Sequence, residues 1–87
     1  MEIVYSEKAV KQLKKIAKSD KKIAKTIIEK IESFANHTDS NFDIKTLRGK
    51  YGDLKRLRVG SFRIIFEAET ATVFIYEVKH RKEAYND

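Results

Sequence analysis

Arg56, Arg58 and Arg63 are spaced so that they would act together on a polyanion. Gly60 and Ser61 between them form a natural two-residue turn, because glycine takes φ > 0 without steric cost and such turns suit the twist of the flanking strands. Antiparallel pairing outward from the turn sets Val59 against Phe62, Arg58 against Arg63, Leu57 against Ile64 and Arg56 against Ile65. One face then carries Val59, Leu57, Phe62, Ile64 and Phe66, and the other carries Arg58, Arg63 and Arg56. Like charges directly opposite each other destabilise a sheet by up to about 1 kcal/mol. Two readings stay open here. Either the arginine stems spread into water and their repulsion is screened over about 8 Å, or a polyanion sits between guanidinium forks that match phosphate oxygens.

A second grouping lies in the tail His80-Arg81-Lys82-Glu83-Ala84-Tyr85. Cleaving RNA without a metal uses the substrate's own 2′-hydroxyl as nucleophile. That requires a base near it, an acid near the leaving 5′-oxygen and cations around the phosphorus, and each positioned charge contributes several kcal/mol. Acid–base partners add about 10²–10⁴-fold. Arginine gives up its proton reluctantly, so the acid–base candidates are His80, of the residue type that titrates near neutrality, and Tyr85. Alternatively, the Tyr85 ring packs on the sheet as a cap. Glu67 and Glu77 are read as partners of nearby basic groups.

The 87 residues contain Lys+Arg 19 against Asp+Glu 13, a net charge of +6. That size is expected to form one domain, residues 1–87. The charge points to an acidic partner, nucleic acid or protein. Without cysteine there is no disulfide and no thiolate metal site, and no metal or cofactor is expected. The start lacks the pattern of a signal peptide, and no segment approaches the roughly 18 apolar residues of a membrane span. A soluble, cytoplasmic protein without membrane contact is therefore expected.

The elements that must hold these residues are readable in order. Ile3 to Tyr5 form a strand, and Ser6 caps a helix from about Glu7 to Lys18 whose Ala9, Leu13, Ile16 and Ala17 make one apolar stripe. Ser19 and Asp20 break and recap the chain. A second helix to about Ala35 buries a wider stripe of Ile23, Ala24, Ile27, Ile28, Ile31, Phe34 and Ala35. The lysines of the first helix are a solvated face that also suits a large polyanion. Asn36 to Thr46 reads as a loop, with Phe42 and Ile44 as anchors onto the core and His37 against the helix-end carbonyls. Strands at about Asp53 to Val59, Phe62 to Glu67 and Thr72 to Lys79 make a meander. Apolar residues on both parities of the last strand predict burial on two sides. The fold class is α+β, in the order βααβββ, with an antiparallel helix hairpin and a three-stranded antiparallel sheet.

Across nearly its whole length the chain resembles toxins of the RelE/ParE superfamily, from toxin–antitoxin modules. The resemblance rests on Leu47-Arg48-Gly49, on Arg56-Leu57-Arg58-Val59-Gly60-Ser61-Phe62-Arg63-Ile64-Ile65-Phe66, and on the tail from His80 to Tyr85, which is similar to the RelE branch. It implies a ribosome-dependent endoribonuclease that cuts messenger RNA in the A site, leaving a 2′,3′-cyclic or 3′-phosphate and a 5′-hydroxyl. It also implies that Arg63 and Arg81 surround the scissile phosphate, with Arg56 standing where relatives often have a lysine. Tyr85 would stack on a base or move a proton, and His80 is an added acid–base candidate. Arg48, Lys55, Arg58, Lys79 and Lys82 would hold the RNA. The partners implied are the ribosome, the messenger and a cognate antitoxin.

One of two second-strand lysines of some RelE proteins falls on Leu54 here, and the hairpin register turns Lys55 toward the helices unless a bulge precedes Arg56. Two alternatives are carried: a ParE-like inhibitor of DNA gyrase, and a relative that binds RNA or antitoxin without cleaving.

Overall fold

The computed structural model describes residues 1–36, 42–47 and 54–82. The elements run β1 (Glu2–Tyr5), α1 (Glu7–Ser19), α2 (Lys21–Asn36), β2 (Asp43–Thr46), β3 (Lys55–Val59), β4 (Phe62–Ala68) and β5 (Thr72–His80). They form an α+β fold with one mixed sheet of strand order β1-β5-β4-β3-β2. β1 lies parallel to β5, and every other pair is antiparallel. Arg48 and Tyr85, with His37, lie outside the described residues.

The hairpin register is the one that its sequence predicts: Val59 faces Phe62, Arg58 faces Arg63, Leu57 faces Ile64 and Arg56 faces Ile65. Gly60 has φ 58°, the left-handed conformation that its lack of a Cβ allows. Leu57, Val59, Ile64 and Phe66 are buried with Ala9 and Leu13 of α1 and Ile27, Ile31 and Ala35 of α2, so both helices cover the same face of the sheet.

The helix starts follow from their caps. The Ala9 N–H donates to Ser6 Oγ at 2.9 Å, and the Ser6 hydroxyl donates in turn to the Tyr76 carbonyl at 2.7 Å. Asp20 Oδ1 accepts from the Lys22 and Ile23 N–H groups, while the Asp20 N–H donates to the Ile16 carbonyl and ends α1. One residue thus closes one helix and opens the next.

Four expectations are corrected. The Asp43–Thr46 segment is a strand rather than loop, paired antiparallel with β3, so the sheet has five strands rather than a three-stranded meander plus β1. Phe42 does anchor, edge-on to Phe34 at 5.4 Å between ring centres, but Ile44 is exposed. Ile28 is exposed too, because the helix stripe is narrower than its apolar content.

The fourth correction concerns β5, which is fully buried on the helix face only. Its pairing steps from Ile65↔Glu77 to Phe66↔Ile75, leaving Tyr76 as an extra residue in a β-bulge. Val73 and Ile75 face the helices before the bulge and Val78 after it, so the buried parity switches. That switch puts Val78 on the other parity, while Phe74 stands half-buried on the face away from the helices, opposite Glu67.

Ser6→Ala removes both the cap and the bond to β5. A loss of about 1 kcal/mol in urea unfolding with an unchanged m-value is expected, within the range for N-cap deletions. Ile27→Ala, fully buried, should lose about 2–5 kcal/mol.

Candidate nucleic-acid interface

The face of the sheet away from the helices gathers the basic residues. Arg58 pairs with Arg63, and Arg63 with Lys79, so three cations stand in one row across β3, β4 and β5. Two inter-strand steps of about 4.8 Å make that row about 10 Å wide. Asp43 of β2 continues it as the neighbour of Arg58. Arg58 is exposed, while Arg63 and Lys79 are half-buried. Fixing these charges on three paired strands limits the freedom they lose on meeting an anion, which long side chains on a loop would not share.

Arg81 follows β5, with its backbone N–H donating to the Ser61 carbonyl at 2.7 Å. That bond ties it to the tip of the β3–β4 hairpin, two residues from Arg63 along β4, and leaves its side chain exposed. Lys82 is exposed beside it.

Arg56 differs from the other arginines. It is 8% exposed, the one buried charged side chain among the described residues, and its Nη1 lies 3.8 Å from Asp43 Oδ1. It therefore braces β3 against β2 instead of standing exposed in the basic row. Lys55 pairs opposite the core residue Phe66, on the parity of Leu57 and Val59, so no bulge swings it to the basic face.

His80 is parted from Arg63 by the sheet itself. It pairs opposite Phe62, with the rings edge-on at 5.2 Å, and both line an open cavity of about 590 Å³ under the helix layer. Gln12, Lys15, Ile16, Asp20 and Ile23 line the helix side of that cavity. The Lys82 N–H donates to His80 Nδ1 at 3.1 Å, which leaves the proton of the neutral ring on Nε2. His80, the last residue of β5, is thus turned to the helix side by strand alternation, while Arg81 stands beyond the strand end in the turn with its side chain exposed.

Two carboxylates besides Asp43 shape the charge on this face. Glu77 Oε1 lies 2.8 Å from Lys8 Nζ of α1 and 3.5 Å from Lys79 Nζ, as a partner of basic groups. The hydrogen bond to Glu77, and then its charge, hold the Lys8 ammonium above the usual lysine range. Glu67 instead accepts from the Tyr76 hydroxyl at 2.8 Å, and that bond raises the phenol's pKa, with smaller contributions from burial and the charges of Glu67 and Glu69. Burial, with Glu32 nearby, raises Tyr5 likewise.

Sequence reasoning missed Asp43 and the Lys8–Glu77 contact. The alternation Asp43-Ile44-Lys45-Thr46, with two β-branched residues, was the available signal for the first. The second joins residues far apart in the chain and has no local signature. Among the described residues no three or more of His, Cys, Asp and Glu are placed to hold a metal ion, and no helix is long and apolar enough to cross a membrane.

A strand, a helix hairpin and an antiparallel run bearing a cationic row define an α+β class of small basic proteins, and comparison with known proteins places the chain within it. Residues 3–85 match the family described as the ParE toxin of the type II toxin–antitoxin system parDE. Toxin RelE3 of Methanocaldococcus jannaschii is 34% identical over 86 residues, covering 99% of this chain and 97% of that protein. The RelB–RelE antitoxin–toxin complex from Methanococcus jannaschii contains a chain 32% identical, with a TM-score of 0.67 over 94% of each chain. The YoeB–YefM complex from Staphylococcus aureus shares the fold at 18% identity, with a TM-score of 0.75 over 92% of this chain and 95% of that one. This chain belongs to the ParE toxin family of type II toxin–antitoxin systems, within the RelE/ParE superfamily.

The raised tyrosines and Lys8 bind protons more tightly folded than unfolded. Their contributions are complete below about pH 10 and fade as pH rises past it. The urea midpoint should fall across that range, and phenolate absorbance should show Glu67→Gln returning one tyrosine toward ordinary titration. A midpoint that stays level through about pH 11 would contradict the assignment.

Proposed function

We propose that this toxin is an endoribonuclease that cuts messenger RNA in the ribosomal A site, in the cytoplasm, and is held inactive by a cognate antitoxin. The observation that carries the reading is the row Arg58, Arg63 and Lys79 on three paired strands, with Arg81 fixed to the hairpin tip beside it. Like charges in such a row work against the sheet, and a bound phosphate backbone turns that repulsion into binding.

In the proposed reaction the 2′-oxygen of the substrate attacks the adjacent phosphorus and the bond to the 5′-oxygen breaks. A 2′,3′-cyclic phosphate and a 5′-hydroxyl result. Arg63 and Arg81 stabilise the charge that develops on the phosphoryl oxygens. Arg58, Lys79, Lys82 and Arg48 hold the flanking backbone, and Tyr85 stacks on a base or moves a proton. His80 faces the helix layer and Lys55 the core side, so neither meets the phosphate on the basic face unless the chain rearranges.

A second reading is gyrase inhibition without cleavage. It is favoured by the ParE description of the matching family and by His80 lying across the sheet from Arg63. Both readings share an antitoxin partner, supported by the antitoxin complexes of RelE and YoeB relatives.

Primer extension on a translated message after brief induction, beside a gyrase supercoiling assay, separates the two. Cuts confined to translated regions are expected; intact message with inhibited supercoiling would move the protein to the second reading. Arg63→Ala and Arg81→Ala should abolish growth arrest while far-UV circular dichroism and thermal unfolding stay as in the wild type. Arg58→Ala should lower the salt slope of RNA binding by about one unit.

A further inference from the structure

We propose that the corner where α1 meets α2 is a second RNA-binding surface, which takes the phosphate backbone of a double-helical RNA while the sheet face holds the single strand to be cut. The inference rests on the reading of this chain as an RNA-directed toxin and extends it to a site that the cleavage chemistry does not use.

The corner concentrates charge at a cost to stability. Lys14, Lys15, Lys18, Lys21, Lys22 and Lys25 are all exposed, and none forms an ion pair with a described residue. Lys21 and Lys22 occupy the first turn of α2, which holds no acidic residue. Cations there oppose the positive end of the helix dipole, whereas carboxylates would stabilise it by about 0.3–1 kcal/mol each. Among the described residues the Asp20 cap is the carboxylate at the turn, and its Oδ1 already accepts two backbone N–H groups. Selection for stability alone would have placed acidic residues here.

The corner also lies at the same end of the molecule as the arginine row. Ser19 and Asp20 of the turn line the cavity opposite Ser61, Phe62 and His80, and Arg81 is bonded to Ser61. The cations of the sheet face therefore continue past the hairpin tip, through Lys15 at the cavity, onto the helix corner. Two basic surfaces meet around one end and look in different directions.

The chemistry of the corner suits a phosphate backbone. Protein interfaces are depleted in lysine and built around an apolar centre, but the apolar residues nearest the turn, Ile16 and Ile23, are half-buried against the core. Single-strand surfaces interleave aromatic side chains for base stacking. The described aromatic ring at this end, Phe62, is packed edge-on to His80 in the cavity. Point charges without stacking groups match an A-form duplex, which presents phosphates and hides its bases.

The test uses the full chain carrying Lys18→Gln, Lys21→Gln and Lys22→Gln together, and a fluorescent RNA duplex of about 16 base pairs, the length spanned by known double-strand readers. Duplex affinity should fall at least tenfold at moderate salt, and the slope of log affinity against log salt should drop by about two units. Thermal stability should hold, since Lys21 and Lys22 leave the positive end of α2 while Lys18 leaves the negative end of α1 and the two effects offset; a role in holding the helix turn together predicts a loss. Unchanged duplex affinity and slope would overturn the proposal, as would a loss of affinity for the antitoxin with duplex binding intact. A wild-type protein that cuts no message but whose triple variant loses duplex binding would remove the nuclease reading and leave this surface standing.

Discussion

The register of the β3–β4 hairpin governs the rest of the molecule. Its two-residue turn, with Gly60 at φ 58°, puts Leu57 against Ile64 on one face and Arg58 against Arg63 on the other. Because side chains alternate with a period of two, a slip of one residue would bury the arginines and expose Leu57, Val59 and Ile64. Burial of those three and Phe66 under the helices makes that slip costly, so the hydrophobic core itself holds the arginines opposite one another. The same pairing that buries the core aligns the cations.

The neighbouring strands modify that arrangement at each side. β2 supplies Asp43 to Arg56 and so converts one arginine from a surface charge into a brace. On the other side, the bulge at Tyr76 rotates the end of β5, which lets Val78 reach the core while Lys79 comes into line with Arg63. β1 ends at Tyr5, opposite Ile75, and beyond it α1 takes over the strand edge: the Val78 N–H donates to Gln12 Oε1 at 2.6 Å and Lys8 reaches Glu77. The helix hairpin therefore does more than cover the core. It satisfies the unpaired edge of the strand that carries the third cation.

The charge distribution has a physical logic of its own. Carboxylates on the described basic face are engaged: Glu77 with Lys8 and Lys79, Asp43 with Arg56, Glu67 with the Tyr76 hydroxyl. The lysines of the α1–α2 corner have no such partners among described residues. Unbalanced positive charge is thus gathered at the end of the molecule where the hairpin tip, the start of the tail and the helix turn meet, and an incoming polyanion is steered there by the summed field.

By itself the sequence determined what local rules control. Ser6 and Asp20 marked the helix starts because a short polar side chain can bond the free N–H groups of a first turn. The spacing of Ala9, Leu13, Ile27 and Ile31 gave the buried helix faces, and Gly60-Ser61 set the hairpin register and with it the Arg58–Arg63 pair. Tertiary structure alone decided the rest. The four-residue alternation of Asp43–Thr46 is a signal too short to stand alone, and the strand forms because β3 offers it an edge. The bulge at Tyr76 is fixed by how β5 must meet both β4 and the helices, so its parity switch looked like two-sided burial. His80 and Arg81 are neighbours in sequence, yet the ring of His80 lies against Phe62 on the helix side because the pairing of β5 with β4 fixes its face, while Arg81 stands past the strand end in the turn. Arg56, identical in kind to Arg58, became a buried brace because the pairing of β2 with β3, which sets Asp43 opposite Arg58, brings that carboxylate diagonally to 3.8 Å from the Arg56 guanidinium, a contact only long-range pairing could supply.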